Sequence, residues 1–166
     1  MEKYNLLLVD DEPNILKALS RLFRDQHVNI FTASNAAEAL EMFKKQKIQL
    51  LISDNLMPGM TGVELINKVK EVSPDTLRII LSGHSDIEAI LNAVNHGEAY
   101  RFILKPWNDI DLKLTLNIAL AQYKLIEDNK LLEKELFEKN RILENIRKNH
   151  PEIFDNSLLE NSLRID

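Results

Sequence analysis

Short runs of apolar residues recur along the chain, at Leu6 to Val9, Leu50 to Ile52, Leu77 to Leu81 and Phe102 to Leu104, and longer segments with helical spacing separate them. Alternation of this kind predicts a succession of strands and helices. A weaker strand is predicted at Val28 to Ala33, after a helical pattern of Ile15, Leu16, Leu19, Leu22 and Phe23 whose first turn carries Pro13. Proline suits that turn because its φ is already helical and its missing N–H would have had no partner there. Five strands and five helices result. Runs apolar on both faces belong to strands buried in a parallel sheet, and right-handed crossovers place helices on both sides of it. The expected architecture is a doubly wound α/β sandwich, in which functional groups collect in the crevice beyond the carboxyl ends of the strands.

The pattern changes near Asp109. From there the chain reads as one helix without Pro or Gly until Pro151, longer than packing on a sheet requires. Leu112, Leu116, Ala119 and Tyr123 form a stripe suited to covering the sheet. Further on, Leu125, Asn129, Leu132, Leu136, Lys139, Leu143 and Ile146 alternate spacings of four and three, the seam of a coiled coil about three heptads long. Between Glu127 and Lys148 six acidic residues balance six basic ones, as on a solvated helix face. Asn129 on the seam favours a parallel dimer in register, whereas Lys139 weakens it. A single amphipathic linker helix is the alternative. The expected organisation is a domain over residues 1–124, a helical or coiled-coil extension over 125–150 and a short tail over 151–166. The 16 residues from Pro151 onward are too few for a DNA-reading or catalytic domain, so any output module is expected in another chain or in deleted sequence.

Composition narrows the classes. With 166 residues and 45% hydrophobic content, a packed core is expected. A net charge of -5 provides no global basic field for nucleic acid, so DNA binding is not expected. The chain has no cysteine, which removes disulfides, thiol catalysis and thiolate metal sites. No apolar run approaches the length of a membrane span, and a cytoplasmic protein without membrane association is expected.

Asp10 and Asp11 follow the first predicted strand, Asp54 the third, Ser82 and Gly83 the fourth and Lys105 the fifth. All therefore sit at the carboxyl ends of strands. Carboxylates converging there repel one another unless a cation neutralises them, and an all-oxygen ligand set favours Mg²⁺ over zinc. A divalent cation also screens the approach of a phosphoryl donor, and one carboxylate can then act as nucleophile and form an aspartyl-phosphate. Lys105 offers a compact positive charge and Ser82 a hydroxyl to hold phosphoryl oxygens, and Gly83 lets backbone N–H groups come close. His27, His96 and His150 lack a Ser or Asp partner at catalytic spacing and read as surface residues. Trp107 reads either as an aromatic packed at the start of the last helix or as a partner-binding anchor.

Asp10-Asp11, Asp54 followed by Met57-Pro58-Gly59 and Thr61-Gly62, Ser82-Gly83 and Lys105-Pro106 resemble, in order, the landmarks of the receiver domain of bacterial two-component response regulators. The resemblance spans about residues 1 to 124. It implies a flavodoxin-like five-stranded sheet of order 2-1-3-4-5, with Asp54 as phosphoacceptor for a sensor histidine kinase. It implies Asp11 as a direct Mg²⁺ ligand, Asp10 assisting through water, the backbone carbonyl of Leu56 as a further ligand, and Ser82 and Lys105 as phosphoryl-binding groups. A cis peptide between Lys105 and Pro106 is implied as well. Phe102 takes the aromatic switch position, following the Ser82 hydroxyl and remodelling the face of the fourth helix, fifth strand and fifth helix. Ser82 stands where Thr is more frequent in the family. Leu56 and His84 occupy the positions that tune hydrolysis. Leu56 cannot position a water, so a long-lived phosphoryl group is expected, while His84 is either solvated or orients or excludes the attacking water. The stretch from Tyr100 to Trp107 is similar to receivers that precede HD-GYP phosphodiesterase or phosphatase modules.

The expected role is a phosphorylated switch, not an enzyme, that controls homodimerisation through the C-terminal helix or engages an output partner. Two alternatives stand beside it. A Mg²⁺-dependent aspartyl-phosphate phosphatase or phosphotransferase of the haloacid-dehalogenase type needs Asp-x-Asp at its first strand, where this chain reads Asp10-Asp11-Glu12. A non-phosphorylated interaction scaffold would have no use for the full set of Asp11, Asp54, Ser82 and Lys105.

Overall fold

The structure, a computed structural model, describes residues 3–83, 91 and 99–154. Five strands, β1 (Tyr4–Val9), β2 (Val28–Ala33), β3 (Leu50–Asp54), β4 (Leu77–Ser82) and β5 (Arg101–Leu104), form one parallel sheet in the order β2-β1-β3-β4-β5. The helices are α1 (Pro13–Leu22), α2 (Ala36–Lys45), α3 (Gly62–Val72) and a C-terminal helix (Asp109–Asn149), followed by a short 3₁₀ turn at Pro151–Phe154. This is the doubly wound sheet expected from the apolar runs, in the flavodoxin-like order that the resemblance implies. The fourth of the five expected helices falls between β4 and β5 and lies outside the described residues apart from Leu91.

Successive side chains of a strand point to opposite faces, so the all-apolar β1 feeds two cores at once. Leu7 and Val9, with Leu51 and Ile80, meet Ala39 of α2 and Leu65, Ile66 and Val69 of α3. Leu6 and Leu8, with Leu50, Ile52, Ile79 and Leu81, meet Leu19 of α1 and Leu112, Leu116 and Ala119 of the C-terminal helix. The stripe predicted to cover the sheet is buried, including Tyr123, whose ring meets Tyr4 edge-on at 5.7 Å between centroids.

By its internal contacts the chain divides into two units, Met1–Lys124 and Leu125–Asp166. The first holds the sheet and both cores. In the described part of the second, the helical residues are exposed or half-exposed, and Leu125, Asn129, Leu132, Leu136, Leu143 and Ile146 all face solvent. Among the described residues, no helix is long and apolar enough to cross a membrane.

Candidate functional site

The carboxyl ends of β1, β3 and β5 bring Asp10, Asp54 and Lys105 together. Asp10 leaves β1 with its backbone N–H donating to the Ala33 carbonyl of β2 at 3.3 Å, which carries the strand ladder one residue further and drives its side chain into the crevice. Its carboxylate is 1% exposed and accepts from the Glu12 N–H at 2.9 Å. Asp54 ends β3 and is buried, and the Ser53 hydroxyl donates to its carbonyl at 2.8 Å. Lys105 follows β5, where its N–H donates to the Ser82 carbonyl at 2.7 Å. The Lys105–Pro106 peptide is cis, in agreement with the resemblance. From this position the ammonium reaches Asp54 Oδ1 at 2.6 Å and Asp10 Oδ2 at 3.4 Å.

Local chemistry holds the Asp54 corner in place. The Asn55 N–H donates to the Leu81 carbonyl at 3.0 Å, its own carbonyl accepts from Gly62 at 2.9 Å, and its side-chain Oδ1 accepts from the Val63 N–H at 3.3 Å. This buried amide fastens the end of β3 to the first turn of α3 and satisfies two donors that a helix start leaves open. The approach is so close that a Cβ on Gly62 would stand 2.3 Å from the Asp54 carbonyl oxygen and 2.9 Å from the Asn55 Cα. Only glycine fits. Thr61 caps α3 in a reciprocal box: its hydroxyl accepts from the Glu64 N–H at 3.2 Å while the Glu64 carboxylate accepts from the Thr61 N–H at 2.8 Å. Gly59, at φ +85°, makes the turn between these parts in a conformation that side chains disfavour.

Electrostatically the crevice is a strained pair of acids held by one base. Burial raises the Asp10 pKa above its ordinary value; the Glu12 N–H and the Lys105 charge oppose that rise, and the neighbouring Asp54 charge adds to it. For Lys105 burial acts downward, but the hydrogen bond and charge of Asp54, with those of Asp10, outweigh it and hold the ammonium above its usual value. The lysine stays protonated throughout the physiological range.

The other expected site residues are placed as follows. Ser82 is buried at the end of β4 and its hydroxyl donates to the Gly83 carbonyl at 3.0 Å. Asp11 is exposed beside the crevice, and the Leu56 side chain faces solvent. Phe102 is half-buried on β5 and packs against the core that includes Leu7 and Leu65. His84 and His96 lie outside the described residues, while His27 and His150 are exposed. The Trp107 ring packs partly against the core on the α1 side, and its indole N–H donates to Asp109 Oδ1 at 3.2 Å. Among the described residues, no group of three or more Asp, Glu or His side chains is arranged as a metal cage. Asn55, Thr61 and Gly62 hold the Asp54 corner, a role that the sequence reading did not give them. Their signal was present only as Thr61-x-x-Glu64, a capping-box spacing.

An open parallel sheet with two buried carboxylates and a lysine at its strand ends defines the class: a flavodoxin-like α/β protein with an acidic crevice at its topological switch. The chain belongs to the response regulator receiver domain family, whose model matches residues 6–117. Among curated relatives, it is 37% identical over 131 residues to the hydrogenase transcriptional regulatory protein HoxA of Cupriavidus necator, a match covering 79% of this chain and 27% of HoxA. The chain thus spans about a quarter of that relative's length. Among solved structures, the adenylate cyclase from Rhodopirellula baltica shares 33% identity at a TM-score of 0.76, over 80% of this chain and 98% of that one. The signal receiver domain of an HD domain-containing protein from Pseudomonas fluorescens Pf-5 shares 33% identity at a TM-score of 0.72, over 77% and 94%.

Proposed function

We propose that the chain is a Mg²⁺-dependent phosphoryl acceptor, phosphorylated on Asp54 by the phosphohistidine of a sensor histidine kinase. The observation that carries this reading is the contact of Lys105 Nζ with Asp54 Oδ1 at 2.6 Å beside the buried Asp10. A carboxylate oxygen of Asp54 attacks the phosphorus, an acyl-phosphate O–P bond forms, the P–N bond to the donor imidazole breaks, and the imidazole leaves with the bonding pair. Lys105 exchanges its partner, from the Asp54 oxygen to a phosphoryl oxygen, and the Ser82 hydroxyl turns from the Gly83 carbonyl to another. The donor set suits Mg²⁺: this ion keeps several waters and needs only one or two carboxylates, so Asp10, Asp11, Asp54 and the Leu56 carbonyl suffice without a cage of three side chains. Bound there, Mg²⁺ supplies charge neutralisation between the acids and the incoming phosphoryl oxygens.

Acceptance of one group followed by slow release makes the chain a switch and not a turnover enzyme. Phe102, on the strand that leads into Lys105, follows the Ser82 hydroxyl, and the C-terminal helix passes the change to a homodimer or an output module. Leu56 and His84 tune the lifetime. Similarity to the receiver of an HD domain-containing protein is compatible with an output of the HD-GYP type, supplied in the cytoplasm by a partner or an attached domain, while similarity to transcriptional regulators such as HoxA supports a DNA-reading output at least as well.

Intact-mass measurement with Mg²⁺ and a small phosphoryl donor, on wild type and Asp54→Ala, tests the reading. One added phosphoryl on wild type alone is expected. No gain on either protein overturns it in favour of a scaffold, and sustained turnover of small phosphate esters favours a phosphatase.

A further inference from the structure

The residue after Asp54 is a buried amide, and burial of an amide calls for a reason. Asn55 is 5% exposed and is fixed by three hydrogen bonds. Its N–H donates to the Leu81 carbonyl of β4 at 3.0 Å, and its carbonyl accepts from the Gly62 N–H at 2.9 Å. Its side-chain Oδ1 accepts from the Val63 N–H at 3.3 Å. The first two are made by the backbone and ask nothing of the side chain. The third requires an acceptor on it.

Stability alone accounts poorly for that third bond. Taking an amide out of water costs free energy that only good hydrogen bonds offset, and a bond of 3.3 Å is longer than the usual range. Leucine has the same shape and would fill the space without that cost. What the bond does control is the next residue. Leu56 contributes no anchor of its own, because its side chain is 58% exposed. Its backbone is set from either side, by Asn55 and by Met57, which is 7% exposed and packs in the core with Leu65 and Ile66. The peptide between Asn55 and Leu56 is planar, so pinning the Asn55 carbonyl pins the whole plane that leads into Leu56. Oδ1 ties the same residue to the first turn of α3 a second time, and the plane cannot rotate without displacing that helix.

We propose that Asn55 is a positioning residue for the metal: through the Val63 N–H its amide oxygen holds the Leu56 carbonyl in place for a divalent cation and so sets the affinity for Mg²⁺. This role rests on the acceptor reading above, in which the Leu56 carbonyl belongs to the Mg²⁺ donor set. Mg²⁺ demands near-ideal octahedral geometry at short distances, so a carbonyl free to swing is a poor ligand. Groups that orient a ligand without touching the metal typically govern its affinity by about 10–100-fold.

Mg²⁺ titration of the full chain, followed by calorimetry and by amide nuclear magnetic resonance, tests this on wild type, Asn55→Leu, Asn55→Asp and Leu51→Ala. The last variant destabilises β3 without touching the Asn55 bonds. Asn55→Leu is expected to weaken Mg²⁺ binding by about 10-fold or more. It should also lose the Mg²⁺-induced shift of the Met57 amide, whose nitrogen is bonded to the Leu56 carbonyl carbon. Asn55→Asp keeps an acceptor oxygen and should retain both, and Leu51→Ala should bind as wild type does. Asn55→Ala removes the acceptor without adding bulk and gives the same readings if the leucine variant does not fold. Wild-type affinity and a wild-type Met57 shift in the acceptor-free variants overturn the role of Asn55. So does a loss in Leu51→Ala as large as theirs, or an Asn55→Asp protein that binds by its added charge with no Met57 shift. Phosphoryl gain by intact mass is read on the same samples: a wild type that takes up neither Mg²⁺ nor a phosphoryl group overturns the acceptor reading and this role with it.

Discussion

The two units of this chain use the same kinds of residue in opposite surroundings. In the first, leucines of β1 and β3 are wholly buried, and acids and a lysine lie at the strand ends with little water around them. In the second, a helix equally rich in leucine leaves each of them exposed, and its charges pair in solvent. The hydrophobic effect therefore supports the first unit from within. The second, at three or four heptads, is too short for helix propensity alone to hold it firmly, and its order depends on what covers its apolar row. The acidic crevice and the packed core sit in the first unit, and the described part of the second leaves its apolar row exposed.

The largest expected effect tests this division directly. Leu51 is 0% exposed on β3, the central strand of the sheet, and Leu51→Ala should lower stability by about 2–5 kcal/mol, counting both lost transfer energy and the cavity left behind. Leu132, 61% exposed, should lose less than about 0.5 kcal/mol on the same change under monomeric conditions. Urea unfolding followed by circular dichroism at low protein concentration checks both. Equal losses would mean that Leu132 is buried in the chain as it exists in solution.

Next in size comes the Asp54 corner. Gly62→Ala sets a methyl group against two backbone atoms that cannot swing aside, so β3 and α3 must separate, at a cost of about 1–3 kcal/mol. Asn145→Ala, on the exposed helix of the second unit, should change stability by less than about 0.5 kcal/mol. The glycine variant should also accept phosphoryl groups more slowly, since Asn55 and Asp54 move with the corner. A normal rate of mass gain in a destabilised Gly62→Ala protein would separate packing from site geometry.

Much of this was legible in the chain. The apolar runs located β1, β3, β4 and β5 to within two residues at either end, because buried parallel strands are written as unbroken apolar runs, and Pro13 marked the start of α1. Asp10, Asp54 and Lys105 were legible as a group because the doubly wound topology gathers strand ends at one edge. The absence of Pro and Gly between Asp109 and Asn149 predicted one long helix, as found. Asn55 was not legible. Its role depends on the distance between β3 and α3, a tertiary quantity that leaves no periodic trace, and the same holds for the tight contact at Gly62. The sheet-facing side of the C-terminal helix was legible too, in the stripe of Leu112, Leu116, Ala119 and Tyr123, all of them buried.

A smaller effect, and one with a defined sign, comes from Asp10. Its folded-state pKa is raised, chiefly by burial, so the folded protein holds this proton more tightly than the unfolded chain does. The stability tied to this group is fully present below the ordinary carboxylate range and is lost as pH rises through the folded value. At neutral pH Asp10 therefore opposes folding. Asp10→Asn should stabilise the Mg²⁺-free protein at pH 7, and the gain should fade as pH falls through the raised folded value and be gone below the ordinary carboxylate range, at about pH 4. Thermal unfolding across that range measures it. Added Mg²⁺ should narrow the gap by stabilising wild type more than the variant, through mass action on the folded state.

The smallest effect returns to the contrast between the units through two ion pairs of similar length. Lys105 and Asp54 meet at 2.6 Å where Asp54 is buried, and Arg141 and Glu138 meet at 3.0 Å on the helix of the second unit with both side chains largely in water. Water screens the second pair, and holding two long side chains in one geometry costs entropy that offsets most of the attraction. Glu138→Gln should change stability by less than about 0.5 kcal/mol, and half-molar salt should erase even that. The same salt should alter the Lys105 contact less, because its partners are more buried, with 25% of the Lys105 and 8% of the Asp54 side chain exposed. Thermal unfolding of wild type and Glu138→Gln at low and high salt reads the first. The Lys105 ¹⁵N chemical shift of its ammonium in the same two buffers reads the second. A clear salt-sensitive loss in Glu138→Gln would mean that this helix face is partly shielded in solution, as it would be if an apolar partner lay alongside it.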